Sequence, residues 1–270
     1  MAHKTPGFTP LTVEACDTRP SGVFVRGYPQ TQICGNLTYT ESFFLTLRGR
    51  LPEPKETQLL DAVLTGMIGY TYWSIARTLI SANPQQPFLA FMGAFMAGGD
   101  YTMFPQHCGD EIRRWQAMMK AENLSITETA RRVVAEYDVT KHRMPGVGHP
   151  LFVKSDPRSL RIREIADKLG YVGEATLLYE AVHAEYIKHP KRADLCINID
   201  GRFACTLLEL GFEPAEMTFI AMLSLGPGVI ADIMEQMRQK PSLQLMVGLP
   251  YEYTGEPDRP LPDAFIRDRD

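Results

Sequence analysis

The chain has 270 residues, of which 44% are hydrophobic and 22% are charged, and its formal net charge is −4. These values are typical of a globular protein with a sizeable core. The weak negative charge, without a block of lysines and arginines, argues against nucleic-acid binding and against a polybasic membrane contact. Five cysteines without a CxxC pair and a first segment, MAHKTPGFTP, without an apolar core predict no disulfide framework, no zinc site and no signal peptide, and they favour the cytoplasm.

Strand signals are confined to the N-terminal part of the chain. The segments GVFVRGY (22–28) and TQICGNLTY (31–39) predict a short β-hairpin before the first helix. Further on, PFLAFMGAFMAGG (87–99) is nearly apolar but shorter than the ~20 residues of a membrane span, so it predicts a buried helix instead.

Helical signals dominate the rest of the chain. Ser125 and Glu128 have the spacing of a capping box and predict a helix over 125–137. Asp156 and Pro157 predict an N-cap and a first helical residue, and this helix is expected to stop at Gly170. Apolar periodicity predicts further helices over 173–189, 201–211, 213–226 and 228–240, the last two split at Gly226-Pro227-Gly228. The tail from Gly255 predicts an extended arm or a frayed end.

His149 lies in an unusual loop, RMPGVGHPLFVKSDPR (143–158). Pro145 and Pro150 fix φ, while Gly146 and Gly148 allow close approach of another backbone or a ligand. The loop therefore restrains the imidazole and holds backbone N–H groups that need partners. A histidine satisfied by local backbone and a functional histidine both fit this pattern.

Arg158 falls in the first turn of the helix that Asp156 caps. A cation there meets the positive end of the helix dipole, a penalty of roughly 0.3–1 kcal/mol. The arginine either bends away to solvent or pairs with Asp156, or it is held in place to grip a carboxylate with its planar fork.

Asp200 stands among apolar residues in LCINIDGRFACTLL. Burial would raise the pKa of its carboxyl unless hydrogen bonds compensate. The residue is either the N-cap of the following helix or a general base placed at the end of an element, and both can hold together.

Three segments together resemble the citrate synthase superfamily, most closely its citryl-CoA lyase branch, which includes the corresponding domain of ATP-citrate lyase. They are VRGYPQTQICGNLTYTESFFLTLRGRLP (25–52), PGVGHPLFVKSDPRSLRIREIA (145–166) and NIDGRFACTLLELGF (198–212). Their order and spacing are similar to the family pattern from about residue 16 to about residue 253.

The resemblance implies roles for the matching residues. In that family a glycine loop contacts the adenine of coenzyme A through its main chain, and here this loop is Pro145, Gly146, Val147 and Gly148. A histidine polarises a substrate oxygen, an aspartate moves the proton at the acyl-CoA α-carbon, and an arginine binds a substrate carboxylate. These roles fall on His149, Asp200 and Arg158.

The chain also departs from the family pattern. The histidine expected within LTGMIGYTYW (64–73) and the one expected within GGDYTMFPQHCGD (98–110) are absent from their places, and SLGPGVIAD (224–232) has a leucine where an arginine is expected. A buried carboxylate without a cation is costly, so these losses favour a substrate with less charge than citryl-CoA. The candidate pocket residues at or near these places are Tyr70, Thr102, His107 and Leu225.

The sequence therefore predicts a mainly α, citrate synthase-like two-domain helical fold with a short N-terminal β-hairpin. The larger domain is expected over 1–103 plus 206–270 and the smaller over 104–205, and the resemblance implies a homodimer. The predicted activity is a CoA-dependent C–C lyase or acyl-CoA condensing enzyme acting on a β-hydroxyacyl-CoA, with coenzyme A or acyl-CoA as substrate or product and with no permanent cofactor or metal. The alternative is a non-catalytic subunit that binds CoA thioesters, against which the presence of Asp200 argues.

Overall fold

The computed structural model describes residues 12–69, 73–96, 105–239 and 255–266, and within these ranges the chain is mainly α-helical, as predicted. Three short strands come first and form an antiparallel sheet in the order β1-β2-β3, with bounds Cys16–Arg19, Gly22–Val25 and Tyr28–Pro29. The α-helices in chain order are α1 (Gln30–Ile33), α2 (Tyr39–Arg48), α3 (Pro54–Thr65), α4 (Trp73–Ala82), α5 (Pro87–Met96), α6 (Pro105–Ala121), α7 (Ile126–Thr140), α8 (Pro157–Leu169), α9 (Glu174–Tyr186), α10 (Ile199–Glu209) and α11 (Pro214–Arg238). Short 3₁₀ helices lie at Pro190–Arg192 and Asp263–Phe265.

The predicted hairpin is right in its first strand and wrong in its second. Residues 22–25 pair with 16–19 and with 28–29, whereas 31–39 contains α1 and the start of α2. Arg26 and Gly27 both have positive φ, of 49° and 84°, and turn the chain back directly after β2. Thr38 and Glu41 then form a capping box, which commits the following residues to α2.

Local cap signals predict the starts of α7 and α8 correctly. Ser125 and Glu128 make the predicted capping box of α7. Asp156 caps α8, Pro157 is its first residue, and Gly170 adopts the left-handed conformation just after its end. These signals act within a few residues of the chain, which is why the sequence alone is sufficient to read them.

Helix α11 is continuous where the sequence predicts two helices. Pro227 removes one backbone hydrogen bond from its interior, at a cost of about 3 kcal/mol. Leu225 and Val229 on either side are fully buried, and each contributes roughly 1.5–3 kcal/mol. Packing on both sides of the proline therefore outweighs the local signal, and the predicted break is wrong.

Among the described residues, two clusters of buried side chains form the interior. The main core contains residues of α2, of α3 and of every helix from α6 through α11. Phe44, Trp115 and Phe203 are among its fully buried members. The second core is smaller and consists of Ala76, Ile80, Ala90, Ala94, Val229 and Ile233 from α4, α5 and the second half of α11. Because Phe44, Trp115 and Leu225 all belong to the main core, this core includes residues of both predicted domains, and the predicted boundary stays a prediction.

An apolar surface remains exposed on α5 and α11, contrary to the prediction that 87–99 is a buried helix. Helix α5 buries Ala90 and Ala94 but leaves Phe88 67% and Met96 82% exposed. The exposed apolar residues of the two helices, here named the α5–α11 face, are Phe88, Leu89, Met92, Met96, Phe219, Leu223, Ile230 and Met234. By length and composition α11 is, among the described residues, one helix that could cross a membrane, yet 44% of its most apolar window is buried inside the fold.

Candidate active site

The glycine loop before His149 is fixed by hydrogen bonds to the segment that leads into α10. The carbonyl of Gly146 accepts from the N–H of Asn198 at 2.9 Å, and the N–H of Gly148 donates to the carbonyl of Cys196 at 2.7 Å. Gly146 and Gly148 have φ of 73° and 86°, which only glycine adopts without strain. Val147 pairs with Ile197 between these two bonds, so its own N–H and C=O point to the other side of the loop.

The backbone also sets the tautomer of His149. Its Nδ1 lies 3.0 Å from the N–H of Leu151 and 3.1 Å from the N–H of Phe152, and it accepts from both. A neutral imidazole whose Nδ1 is an acceptor carries its proton on Nε2, so Nε2 is a hydrogen-bond donor. Burial lowers the pKa of His149, and the charge of Arg158 lowers it further. The half-buried ring stacks on Phe152 with a centroid distance of 4.6 Å.

Arg158 is held by Asp156, which is 1% exposed. The guanidinium donates from Nε to one carboxylate oxygen at 3.0 Å and from Nη2 to the other at 2.8 Å. The same carboxylate accepts from the N–H of Arg158 and thereby caps α8. This two-point pair holds the arginine at a helix N-terminus in spite of the dipole penalty, as one of the sequence-based alternatives predicts.

Asp200 lies in the first turn of α10 and is not its N-cap. The cap is Asn198, whose Oδ1 accepts from the N–H groups of Asp200 and Gly201 at 3.0 and 3.2 Å. The predicted capping role of Asp200 is therefore wrong, because the helix begins two residues earlier than Gly201. Burial raises the pKa of Asp200 to about 6, against a lowering influence from Arg158.

Three of the predicted residues, His149, Arg158 and Asp200, lie close together. The positive charge of Arg158 lowers the pKa of both His149 and Asp200, and Asp156 raises the pKa of both. The ring of Phe152 stacks on His149 and also lies 5.2 Å from the guanidinium carbon of Arg158, while Asn198 bonds both to the carbonyl of Gly148 and to the N–H of Asp200. His149, Arg158 and Asp200 therefore share one site between the glycine loop and the N-termini of α8 and α10.

Two buried cysteine thiols neighbour each other in the core, and that of Cys108 also neighbours Asp200. Burial raises the pKa of Cys108 well above its usual range, and the charge of Asp200 raises it further. Cys205 is also fully buried, and burial raises the pKa of its thiol to about 12. Both thiols stay uncharged at neutral pH, and the thiol of Cys108 is a weakly polar neighbour of the Asp200 carboxylate.

The remaining predicted residues take other places. Tyr70 and Thr102 lie outside the described residues. His107 is on the exposed side of α6, whereas the next residue, Cys108, faces inward. Leu225 is fully buried in the main core, which does not support a role in lining a pocket.

Sequence reasoning assigned no role to two residues that organise the site. Asn198 caps α10 and also donates from Nδ2 to the carbonyl of Gly148 at 2.8 Å, so that it joins the histidine loop to the helix of Asp200. Its place two residues before an acid and a helical run is a signal that could have shown this role. Tyr179 donates its hydroxyl to the carbonyl of Pro145 at 2.7 Å, and no local signal connects residues that lie so far apart in the chain.

Comparison with known proteins shows the family of this chain. A family model described as citrate synthase, C-terminal domain, matches residues 74–245, which is more than half of the chain. The citrate synthase of Deinococcus radiodurans is 24% identical over 243 residues, which are 87% of this chain. The chain spans 60% of the length of that relative.

Solved structures give the same result at the level of the fold. Citryl-CoA lyase from Hydrogenobacter thermophilus superposes with a TM-score of 0.74 and 26% identity, over 94% of this chain and 98% of that one. ATP citrate lyase from Methanothrix soehngenii, in complex with citrate and coenzyme A, gives a TM-score of 0.71 at 15% identity, over 92% of this chain and 42% of that one. Citrate synthase from Thermoplasma acidophilum, in a ternary complex with carboxymethyl coenzyme A and oxaloacetate, gives 0.65 at 18% identity, over 85% and 60%.

The resemblance seen in the three sequence segments is thus confirmed, together with the predicted citrate synthase-like helical fold. The matched range of the family model contains the glycine loop, His149, Arg158 and Asp200. This chain belongs to the citrate synthase family.

Proposed function

We propose that this protein makes or breaks a C–C bond next to a CoA thioester and that its substrate is a β-hydroxyacyl-CoA with less charge than citryl-CoA. One observation carries the proposal. The backbone fixes His149 as an Nε2 donor in the same site as Asp200, whose pKa is raised to about 6. A fixed donor and a carboxylate tuned towards neutral pH are the groups that enolate chemistry needs.

In the direction of cleavage, Asp200 takes the proton of the β-hydroxyl group. The C–C bond between the α- and β-carbons then breaks, and its electron pair becomes the enolate of the thioester. The β-carbon becomes a carbonyl, whose oxygen accepts a hydrogen bond from Nε2 of His149. Asp200 returns the proton to the α-carbon, so the products are a carbonyl compound and an acyl-CoA, and no proton is gained or lost.

The tautomer of His149 decides which group is the base. Nδ1 already accepts two backbone N–H groups and Nε2 carries the proton, so the neutral ring has no nitrogen left to accept the hydroxyl proton. Asp200 is charged above pH 6 and can accept it. In the condensing direction the same carboxylate removes the α-proton of the acyl-CoA, and His149 stabilises the alkoxide that forms.

The backbone of Val147 is the proposed contact for the adenine of coenzyme A. Its N–H and C=O point away from Ile197, and one donor beside one acceptor matches the edge of an adenine ring. Two similar proteins, the ATP citrate lyase and the citrate synthase compared above, are seen in complex with coenzyme A and with carboxymethyl coenzyme A, which supports this assignment.

Two features support a substrate with less charge than citryl-CoA. Nε and Nη2 of Arg158 donate to the two carboxylate oxygens of Asp156, so this edge of the guanidinium already faces one carboxylate. Leu225, which stands where the family pattern has an arginine, is apolar and buried. A further buried carboxylate would gain little compensation from these positions, so a ketone or a monocarboxylate is the proposed carbonyl partner.

The α5–α11 face is the proposed interface of a homodimer. Single exposed apolar side chains are common on protein surfaces, but here a whole group of them lies on two adjacent helices. Such a surface is typical of stable self-association.

Five free thiols, three of them buried, accord with the proposed cytoplasmic location.

A non-catalytic protein that binds CoA thioesters is the alternative. Its supporting observation is the tightly built glycine loop, which needs no catalytic acid. The variant Asp200→Asn separates the two functions, because asparagine keeps the size of the side chain and removes its proton chemistry.

The test combines calorimetric binding of acetyl-CoA with an assay of the released carbonyl product and acyl-CoA, for the native chain and for Asp200→Asn. The substrates are citryl-CoA and β-hydroxyacyl-CoA esters whose acyl group carries no charge. We expect both proteins to bind acetyl-CoA and the variant to lose turnover on the order of 10³-fold. We expect the native chain to turn over the less charged ester faster than citryl-CoA. Binding without turnover by the native chain supports the alternative. Faster cleavage of citryl-CoA than of the other esters contradicts the proposed substrate class.

A further inference from the structure

Tyr179 lies where the loop that carries His149 meets the first turn of α10, which carries Asp200. These two segments are here called the catalytic elements. The tyrosine is on α9, is fully buried, and stacks on Trp115 with a centroid distance of 6.0 Å. Its hydroxyl donates to the carbonyl of Pro145 at 2.7 Å, at the base of the loop that carries His149. Burial raises the pKa of this hydroxyl well above its usual range, so it is a donor at neutral pH.

The same hydroxyl contacts the backbone of both catalytic elements. A Cβ added to Gly146 would lie 2.5 Å from the Tyr179 oxygen and 2.6 Å from Cα of Gly201. A Cβ added to Gly201 would meet the Tyr179 oxygen at least as closely, and would lie 2.8 Å from the carbonyl oxygen of Gly146. The histidine loop, the first turn of α10 and the tyrosine hydroxyl therefore meet without space for one methyl group.

We propose that Tyr179 is a positioning residue, which sets the distance between His149 and Asp200. Gly201 directly follows Asp200, and Gly146 lies three residues before His149. Any movement of the tyrosine hydroxyl therefore moves both catalytic groups relative to each other. This inference rests on the catalytic roles of His149 and Asp200 that are proposed above.

The variant Tyr179→Phe keeps the stacked ring and removes the oxygen. The matched control is Tyr137→Phe, which removes another buried hydroxyl, one that donates to Glu111 at 2.8 Å and not to the carbonyl of Pro145. Without the hydroxyl, the base of the loop loses its anchor and water gains access to Asp200. We expect kcat to fall on the order of tenfold in Tyr179→Phe and less than about twofold in the control.

The pH profile distinguishes positioning from simple destabilisation. Loss of folded protein scales the whole profile of kcat/KM, whereas better hydration of Asp200 moves its acid limb from near pH 6 by about one unit to lower pH. The inference is overturned if Tyr179→Phe and Tyr137→Phe have the same acid limb and the same kcat.

A second measurement needs no enzymatic activity. The effect of Asp200→Asn on the melting temperature is followed against pH, once in the native background and once with Tyr179→Phe. The proposal expects a smaller effect at pH 7 in the Tyr179→Phe background, since the carboxylate is already hydrated there. An equal effect in both backgrounds rejects the role of Tyr179, whatever the outcome of the turnover assays.

Discussion

At Asp200, burial opposes two influences that favour the charged carboxylate. The first turn of α10 offers the positive end of the helix dipole, which is worth roughly 0.3–1 kcal/mol, and Arg158 adds a positive charge. The pKa is nevertheless raised from 3.8 to about 6, so desolvation is the larger effect. This rise corresponds to roughly 3 kcal/mol of stability that the fold loses at neutral pH by holding the group charged.

We therefore expect Asp200→Asn to stabilise the protein while it removes turnover. The folded state binds the Asp200 proton more tightly than the unfolded state, so the native chain loses stability on this account as the pH rises from about 4 to about 6. The gain in the variant should be greatest at pH 7, at roughly 2–3 kcal/mol, and should vanish below about pH 4. Urea denaturation at a series of pH values measures this, and a gain that is independent of pH would contradict it.

The donor role of His149 predicts a difference between its two amide replacements. The amide nitrogen of glutamine can reach the position of Nε2, whereas that of asparagine is placed nearer Nδ1. We expect His149→Gln to retain on the order of tenfold more kcat than His149→Asn, with similar affinity for acetyl-CoA. Equal loss in both variants would contradict the assigned tautomer.

The sequence predicts which residues form the candidate site better than it predicts their surroundings. His149, Arg158 and Asp200 stand in motifs that resemble a known family, so each could be named from its neighbours in the chain. The hydrogen bonds of Asn198 and Tyr179 to the glycine loop join positions up to 50 residues apart. Such contacts depend on how α9 and α10 pack, and no local pattern contains that information.

Among the elements, caps are predictable and tertiary contacts are not. The capping box of α7 and the Asp-Pro start of α8 appear in the structure as predicted, since each signal is satisfied within one helical turn. The second strand of the hairpin and the break in α11 are wrong, because a turn at Arg26 and burial beside Pro227 outweigh the strand and breaker signals. The N-cap of α10 is Asn198 and not Asp200. The sequence does not distinguish the two because both residue types are good caps.

Pro227 offers a test of this balance at the level of one helix. It is exposed in the interior of α11, so Pro227→Ala restores a backbone donor without disturbing the core. We expect a gain of about 1–3 kcal/mol in the free energy of unfolding, measured by urea denaturation.

Pro54→Ala is the matched control for that prediction. Pro54 is also exposed but stands at the first position of α3, where a proline has no helical bond to break. We expect no gain there. Equal effects of the two substitutions would show that the proline inside α11 costs nothing.

For the whole molecule, the α5–α11 face predicts self-association. We expect light scattering to give the mass of a dimer for the native chain and of a monomer for Phe219→Asp, since a charge on a buried apolar interface is costly. Phe265→Asp is the control, because Phe265 is 65% exposed, close to the 68% of Phe219, and lies outside the face. A native chain of monomer mass would contradict the proposed interface.

Helix α11 also divides the protein into parts of unequal resistance to local opening. Its first half belongs to the main core and its second half to the six-residue second core, and Pro227 removes a backbone bond at the junction. Sub-global unfolding of α4, α5 and the second half of α11 can therefore end at this proline while the residues of the candidate site keep their places. Amide exchange should be faster after Pro227 than before it. Association through α5 and α11 would slow that exchange, so subunit concentration would control the flexibility of a region remote from the chemistry.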